Sequence, residues 1–301
     1  MKNLVVIEAP SNLGLIEPQP GKEPGVKELP VWLYANGFYD LLLPERIIKI
    51  PAPAYSMELD VDSGVRNAEA IADYSIQLAK QIKPLLDSAH FPLVIGGDCS
   101  ILIGCAYGFK QAGNFGLFFL DGHTDYVLPY SSDTKGAAGM DLAIVTGNGH
   151  EKLTNINGLR PYVREENVTA FGNREYDEDY VKAIKDSDIN YYDLNSIRLT
   201  GVKSITDNFL AEMKRKETDG FWIHLDVDIL DNDEMPCVDS PQPGGLTYAE
   251  LKEVLSNLFE SRLVRGMDIT ILDPTLDFKG THTKKFIKEI TATLTQFKIL
   301  D

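Results

Sequence analysis

The chain has 301 residues, 44% of them hydrophobic, enough for a large core and compatible with one large α/β domain. Its 45 acidic against 29 basic residues leave a formal net charge of −16, a surface that repels nucleic-acid phosphates and anionic lipid and suits a cationic partner better. No run approaches the roughly 18 apolar residues of a spanning helix, the apolar start ends at Glu8 and is too short for a signal peptide, and Cys99, Cys105 and Cys237 are too few and too odd for a disulfide framework. These features predict a soluble cytoplasmic protein with no nucleic-acid or membrane partner. Along the chain, short apolar runs predict strands at 4–9, 46–50, 91–96, 117–121, 168–172, 189–194, 221–227 and 264–272. Amphipathic runs predict helices at 65–88, 100–112, 177–186, 202–217, 247–262 and 281–297; Thr247 with Glu250 three residues on has capping-box spacing. Strands that are apolar throughout and separated by helices imply a parallel sheet covered on both faces. A closed eight-stranded barrel and an open doubly wound sheet fit this pattern equally. Irregular stretches at 10–30, 126–139 and 229–246 are long enough to carry function.

Ligands of parallel α/β sheets bind beyond the carboxyl ends of the strands. Three such ends carry ligand-type residues: VIGGDCSI (94–101) with Asp98 and Cys99, LFFLDGHTD (117–125) with Asp121, His123 and Asp125, and WIHLDVDIL (222–230) with Asp226 and Asp228 just after His224. Strand alternation turns Asp121, His123 and Asp125 the same way, and likewise Asp226 with Asp228. Four carboxylates packed together repel one another and are costly to desolvate. One divalent ion leaves that cluster over-charged and two balance it. Mostly oxygen donors with one imidazole suit Mn²⁺ better than an all-thiolate centre would, and two adjacent ions can lower the pKa of a shared water towards neutrality. Taken singly, a DxD pair is commonplace and Cys99 would be a small core residue. Cys105 fits that core reading, Cys237 has no assignment, and His90, His150 and His282 read as caps or surface residues.

The same motifs resemble those of the arginase–agmatinase (ureohydrolase) family, which carries GGDHS, DAHTD and DVDxLDP in that order. The counterparts here are GGDCS (96–100), DGHTD (121–125) and DVDILDN (226–232), with PGGLTYAEL (243–251), GMDITILDPTLD (266–277) and GNREYD (172–177) similar to further family segments. The resemblance spans nearly the whole chain. It implies a single domain over 1–301, three-layered α/β/α, with an open, mostly parallel eight-stranded sheet and a dinuclear manganese site. It also implies a homo-oligomer, trimeric or hexameric, and a small nitrogenous substrate. Carried over by position, Asp121 and Asp226 would bridge two Mn²⁺ ions, His123 and Asp228 would complete one, and Asp125 would ligate the other and hold a bridging hydroxide. Asp121 and Asp125 are thus the expected catalytic groups.

Three departures from the family pattern bear on function. Cys99 stands where the family has a histidine ligand, and a thiolate there favours Zn²⁺ or Fe²⁺ over Mn²⁺. Ala138, in AGMDLA, stands where a proton-shuttling histidine is expected. Ile271, in ITILDP, stands where a glutamate meets a guanidinium. The resulting expectation is a binuclear metal-dependent hydrolase of linear C–N bonds in an amidine, guanidine or amide, and a poor arginase. Substrate contacts are expected from Ile271 and Ser132, with Asp177 or Asp273 as a replacement anchor. The alternatives are a catalytically impaired binding or regulatory member of the family, a hydroxyarginine-type amidinohydrolase, and a deacetylase on the same general fold, which would hold one ion.

Overall fold

The computed structural model describes residues 4–175 and 177–298. Eight strands, β1 (Leu4–Ala9), β2 (Arg46–Lys49), β3 (Phe91–Gly96), β4 (Gly116–Leu120), β5 (Val168–Asn173), β6 (Asn190–Asp193), β7 (Phe221–Asp226) and β8 (Val264–Thr270), form one sheet. Their order is β2-β1-β3-β8-β7-β4-β5-β6, and every neighbouring pair is parallel. The sheet is open, which decides between the two topologies the strand pattern allowed. All eight expected strands form, with ends shifted by a few residues.

Alternation along the central strands feeds two separate cores. Phe118 and Leu120 of β4, Ile223 and Leu225 of β7, and Met267 and Ile269 of β8 pack on one face against helices 202–215, 248–260 and 281–298. Leu117, Phe119 and Trp222 turn to the opposite face, against helices 68–87 and 101–112. Thr247 and Glu250 make the expected capping box at the start of helix 248–260. Short helices at 29–35, 38–42, 141–145 and 194–200 have no counterpart in the expected elements. Each is only five to seven residues long, below the length at which a helix is stable by itself, and the first three are seated by buried residues such as Leu33, Phe38 and Leu142.

Cys99, Asp121 and Asp226 follow or end β3, β4 and β7. Together with β8 these are the four contiguous strands at the centre of the sheet. The chain runs outward from this centre on both sides and returns to it, so the site sits at a topological switch point, where the loops leave an opening. The turn after β3 is seated tightly: Asp98 N–H donates to the Ser11 carbonyl at 3.1 Å, and a Cβ on Gly97 would lie 1.6 Å from that oxygen. A backbone oxygen cannot rotate aside. Gly97→Ala is therefore expected to lower stability by about 2–3 kcal/mol, read as a lower denaturant midpoint, and to displace the loop after β1 that walls the cleft.

Candidate metal centre

The carboxylates are held by their own turns. Asp121 Oδ1 accepts from His123 N–H at 2.6 Å, Asp226 Oδ1 accepts from Asp228 N–H at 2.7 Å, and Asp228 Oδ1 accepts from Gly122 N–H at 3.0 Å. One oxygen of each is thus tied down and the other is left facing its neighbours. His123 Nδ1 lies 2.8 Å from Asp228 Oδ2 and 3.8 Å from Asp121 Oδ1. The Cys99 thiol, 1% exposed, donates to Asp226 Oδ2 at 2.7 Å and contacts Thr270 Oγ1 at 3.0 Å. Three sets of donor atoms each lie within 4.8 Å of one another: Asp121, His123 and Asp228; Cys99, Asp125 and Asp141; and Cys99, Asp121, His224 and Asp226.

These groups carry far more negative than positive charge. Burial, with repulsion from neighbouring carboxylates, raises Asp121, Asp125 and Asp226 well above the ordinary carboxylate range. Burial and the same carboxylates raise the Cys99 thiol. Asp228 is the exception: burial pushes it up, but His123 and Arg174 outweigh that and lower it. His123, in turn, is held up at about 9 against the effect of its burial, chiefly by Asp228. Arg174 spends its hydrogen bonds on the carbonyls of Asp228, Leu230 and Gln242. Among the described residues, Asp121 Oδ2, both oxygens of Asp141 and His224 Nε2 are buried with no hydrogen-bond partner. Buried polar atoms are seldom left so. Unsatisfied carboxylate oxygens and an unsatisfied imidazole nitrogen, with a thiol and a second imidazole beside them, fit divalent cations.

The centre opens into a cleft of about 340 Å³. Ser132, Ala138 and Ile271 line it, as do Glu175, Tyr180 and Asp239. Asp177 does not reach it: it is exposed and caps helix 178–185, accepting from Asp179 and Tyr180 N–H at 3.0 and 3.1 Å. Asp273 is likewise committed, accepting from Gly25 N–H at 3.1 Å and from Thr275 N–H at 2.8 Å. Neither acid can stand in at the position of Ile271. Cys105 is buried in the apolar core, His150 caps helix 151–154, and Cys237 donates to the Leu276 carbonyl at 3.4 Å. Asp141, His224 and Glu175 were not among the expected site residues. The alternation that pairs His224 with Asp226 was legible in WIHLD, whereas nothing local marks Asp141.

The arginase family model matches residues 41–296. The arginase of Staphylococcus aureus strain COL is 32% identical over 237 residues, 78% of each chain. The chain belongs to the arginase family. In structure, this family member is similar to the arginase of Bacillus caldovelox, with a TM-score of 0.87, 29% identity and coverage of 97% of this chain and 98% of that one. It is also similar to the arginase of Bacillus subtilis, with a TM-score of 0.84 and 27% identity over 97% and 98% of the two chains. Enzymes of the arginase family hydrolyse C–N bonds and depend on a binuclear metal centre.

The charge crowding predicts a pH signature for the metal-free protein. Asp121, Asp125 and Asp226 keep their protons in the folded state to higher pH than in the unfolded chain, so folding takes up protons above the ordinary carboxylate range, and stability falls as pH rises through that window. His123, raised to about 9, acts in the same direction, its contribution being lost as pH rises towards and past 9. The thermal midpoint of chelator-treated protein should fall between about pH 5 and about pH 8. Saturating divalent metal should flatten that slope.

Proposed function

We propose that this chain is a dinuclear metal-dependent hydrolase of linear C–N bonds in small nitrogenous substrates, and a poor arginase. The observation that carries the reading is the set of unsatisfied, mutually repelling donors over the ends of β3, β4 and β7, at the floor of an open acidic cleft. In this reading Asp121 and Asp226 would serve both ions, with His123 and Asp228 holding one and Asp125 and Cys99 the other. Bound there, two divalent ions supply charge compensation and acidify water at neutral pH. Asp125, part-buried and lining the cleft, orients the attacking water and carries its proton to the leaving amine.

The cleft also carries the substrate preference. Beyond the proposed metal donors, Asp133, Glu175 and Asp239 line it, and no lysine or arginine does so among the described residues. Such a wall disfavours anionic substrates and accepts cationic or neutral ones. Ile271, 3% exposed and held at φ 76°, puts an apolar wall where an arginine guanidinium would need a charge-assisted contact. Ser132, 7% exposed, is placed to meet a substrate tail, though its hydroxyl already accepts from Lys135 N–H at 3.1 Å. Mn²⁺ suits the oxygen-rich His123 side, and Zn²⁺ or Fe²⁺ suits the Cys99 side. Among the described residues, no helix is long and apolar enough to cross a membrane. Cytoplasmic placement and a trimeric or hexameric assembly belong to the same proposal, and sedimentation checks the assembly.

A panel of arginine, agmatine, guanidinobutyrate, formiminoglutamate and hydroxyarginine, assayed with Mn²⁺ and with Zn²⁺, tests the reading. A buried charge without a partner costs on the order of 3–5 kcal/mol, so arginine turnover is expected to be about 10²–10³-fold below that of the preferred substrate. Efficient release of urea from arginine would overturn the role given to Ile271. Asp121→Asn and Asp226→Asn should each lose bound divalent metal by elemental analysis while remaining folded. Tight binding of two ions with no turnover of any member of the panel would favour a binding or regulatory role, the reading to which Ala138 already points.

A further inference from the structure

We infer that His224 and Asp141 complete the inner metal site together with Cys99, Asp121 and Asp226, supplying a nitrogen donor from beneath the site in place of the one absent at position 99. This inference rests on the metal-centre reading above and deepens it. His224 is fully buried in the middle of the sheet. Its ring stacks on Phe119, with centroids 4.8 Å apart and planes inclined at 16°. Its Nδ1 lies 2.5 Å from Asp268 Oδ2 on the neighbouring strand, and the other Asp268 oxygen accepts from Trp222 Nε1 at 2.5 Å. A carboxylate on Nδ1 fixes the ring orientation and leaves Nε2 as the free donor, the arrangement that commonly backs a metal-bound histidine.

His224 Nε2 has no hydrogen-bond partner among the described residues, and a ring nitrogen of His224 lies within 4.8 Å of donor atoms of Cys99, Asp121 and Asp226. From the other side, Asp141 Oδ2 is 3.9 Å from Nε2. Asp141 is itself fully buried, and neither of its oxygens is satisfied by the protein. A fully buried carboxylate and a fully buried imidazole with these polar atoms unsatisfied and 3.9 Å apart are costly unless a charge compensates them.

The donors differ in kind across the centre. His123 and Asp228, with shared oxygens of Asp121 and Asp226, make an oxygen-rich outer site. Cys99 belongs to two donor groups, one with Asp125 and Asp141 and one with His224, Asp121 and Asp226, and the latter offers sulfur, nitrogen and oxygen. Zinc is bound by such four-donor sets, and manganese prefers more oxygens. His224, Asp141 and Asp121 do not line the cleft, whereas Cys99, His123, Asp125, Asp226 and Asp228 do. The Cys99 side is therefore backed by buried donors and still opens to the cleft through Cys99, Asp125 and Asp226.

Cobalt(II) added to chelator-stripped protein reads the two sites separately, because thiolate ligation gives a near-ultraviolet charge-transfer band and low coordination numbers give intense visible bands. Wild type should show both. Cys99→Ser should lose the near-ultraviolet band. His224→Asn keeps a donor to Asp268 but removes the inward nitrogen, and should weaken cobalt and zinc binding at the thiolate site by about 10–100-fold while leaving manganese binding at the His123 site within about twofold. Unchanged cobalt affinity and spectrum in a folded His224→Asn would overturn the inference and leave the dinuclear reading standing. Failure of wild type to bind cobalt, zinc or manganese would overturn both. Should the variant not fold, zinc anomalous scattering from wild-type crystals decides: an ion within about 2.0–2.3 Å of both Cys99 Sγ and His224 Nε2 supports the inference, and an ion bound only on the His123 side overturns it.

Discussion

Repulsion among carboxylates that the sheet will not let separate is the constraint on which the rest of this molecule depends. Asp121, Asp226, Asp228 and Asp141 are each buried, and Asp121 and Asp226 are anchored by turns that begin at strand ends. Two unit charges about 4 Å apart repel by about 4 kcal/mol at an effective dielectric of about 20. A domain has only about 5–15 kcal/mol of net stability, so two or three such pairs left uncompensated would rival the whole. Protons or cations must therefore occupy the cluster, and its composition decides which. Anionic oxygens call for hard divalent ions, and the thiol and imidazole on the inner side call for softer ones.

The architecture around the cluster follows from that requirement. β3, β8, β7 and β4 are buried on both faces, and their parallel pairing brings three ligand-bearing strand ends to one edge of the sheet. Alternation then sorts the polar residues. His224 and Asp268 are cross-strand partners in the β7–β8 register and turn to the same face as Trp222, so the support for His224 comes from within the sheet and not from a mobile loop. The Ser11–Gly97 contact closes the site from the β1 side. Arg174 donates to backbone carbonyls after β7 and so holds the Asp228 loop in place, and its charge also helps lower Asp228.

Where the resemblance leads one to expect histidines, positions 99 and 138 carry a thiol and a methyl group. The thiol of Cys99, the carboxylate of Asp141 and the ring of His224 occupy one region. Ile271 alters the cleft wall at positive φ, where a β-branched residue is seldom held without cause. Cys99, Ala138 and Ile271 all line the cleft. The His123–Asp228 side keeps its expected residues, and there the ion pair is intact at 2.8 Å.

Local pattern alone determined a good deal. Apolar runs marked all eight strands: the central ones are buried on both faces and need continuous hydrophobicity, and the edge strands β2 and β6 are only half-buried and carry the shortest runs. The positions just past those runs offered Asp98, Cys99, Asp121, His123, Asp125, Asp226 and Asp228 as candidates, because parallel sheets present their strand ends to ligands, and only the family resemblance singled out Cys99 among them. The capping box at Thr247 was legible for the same local reason. Tertiary structure decided what no short window contains. An open sheet rather than a barrel depends on long-range pairing of β3 with β8 and of β4 with β7. The short helices at 29–35 and 38–42 exist only because distant residues bury them. Asp177 looked available as an anchor and instead caps its own helix, whereas Asp141 gave no local sign and lies 3.9 Å from His224. Side chains from separate loops and strands meet through packing, and period and propensity, which report only on neighbours along the chain, cannot register that meeting.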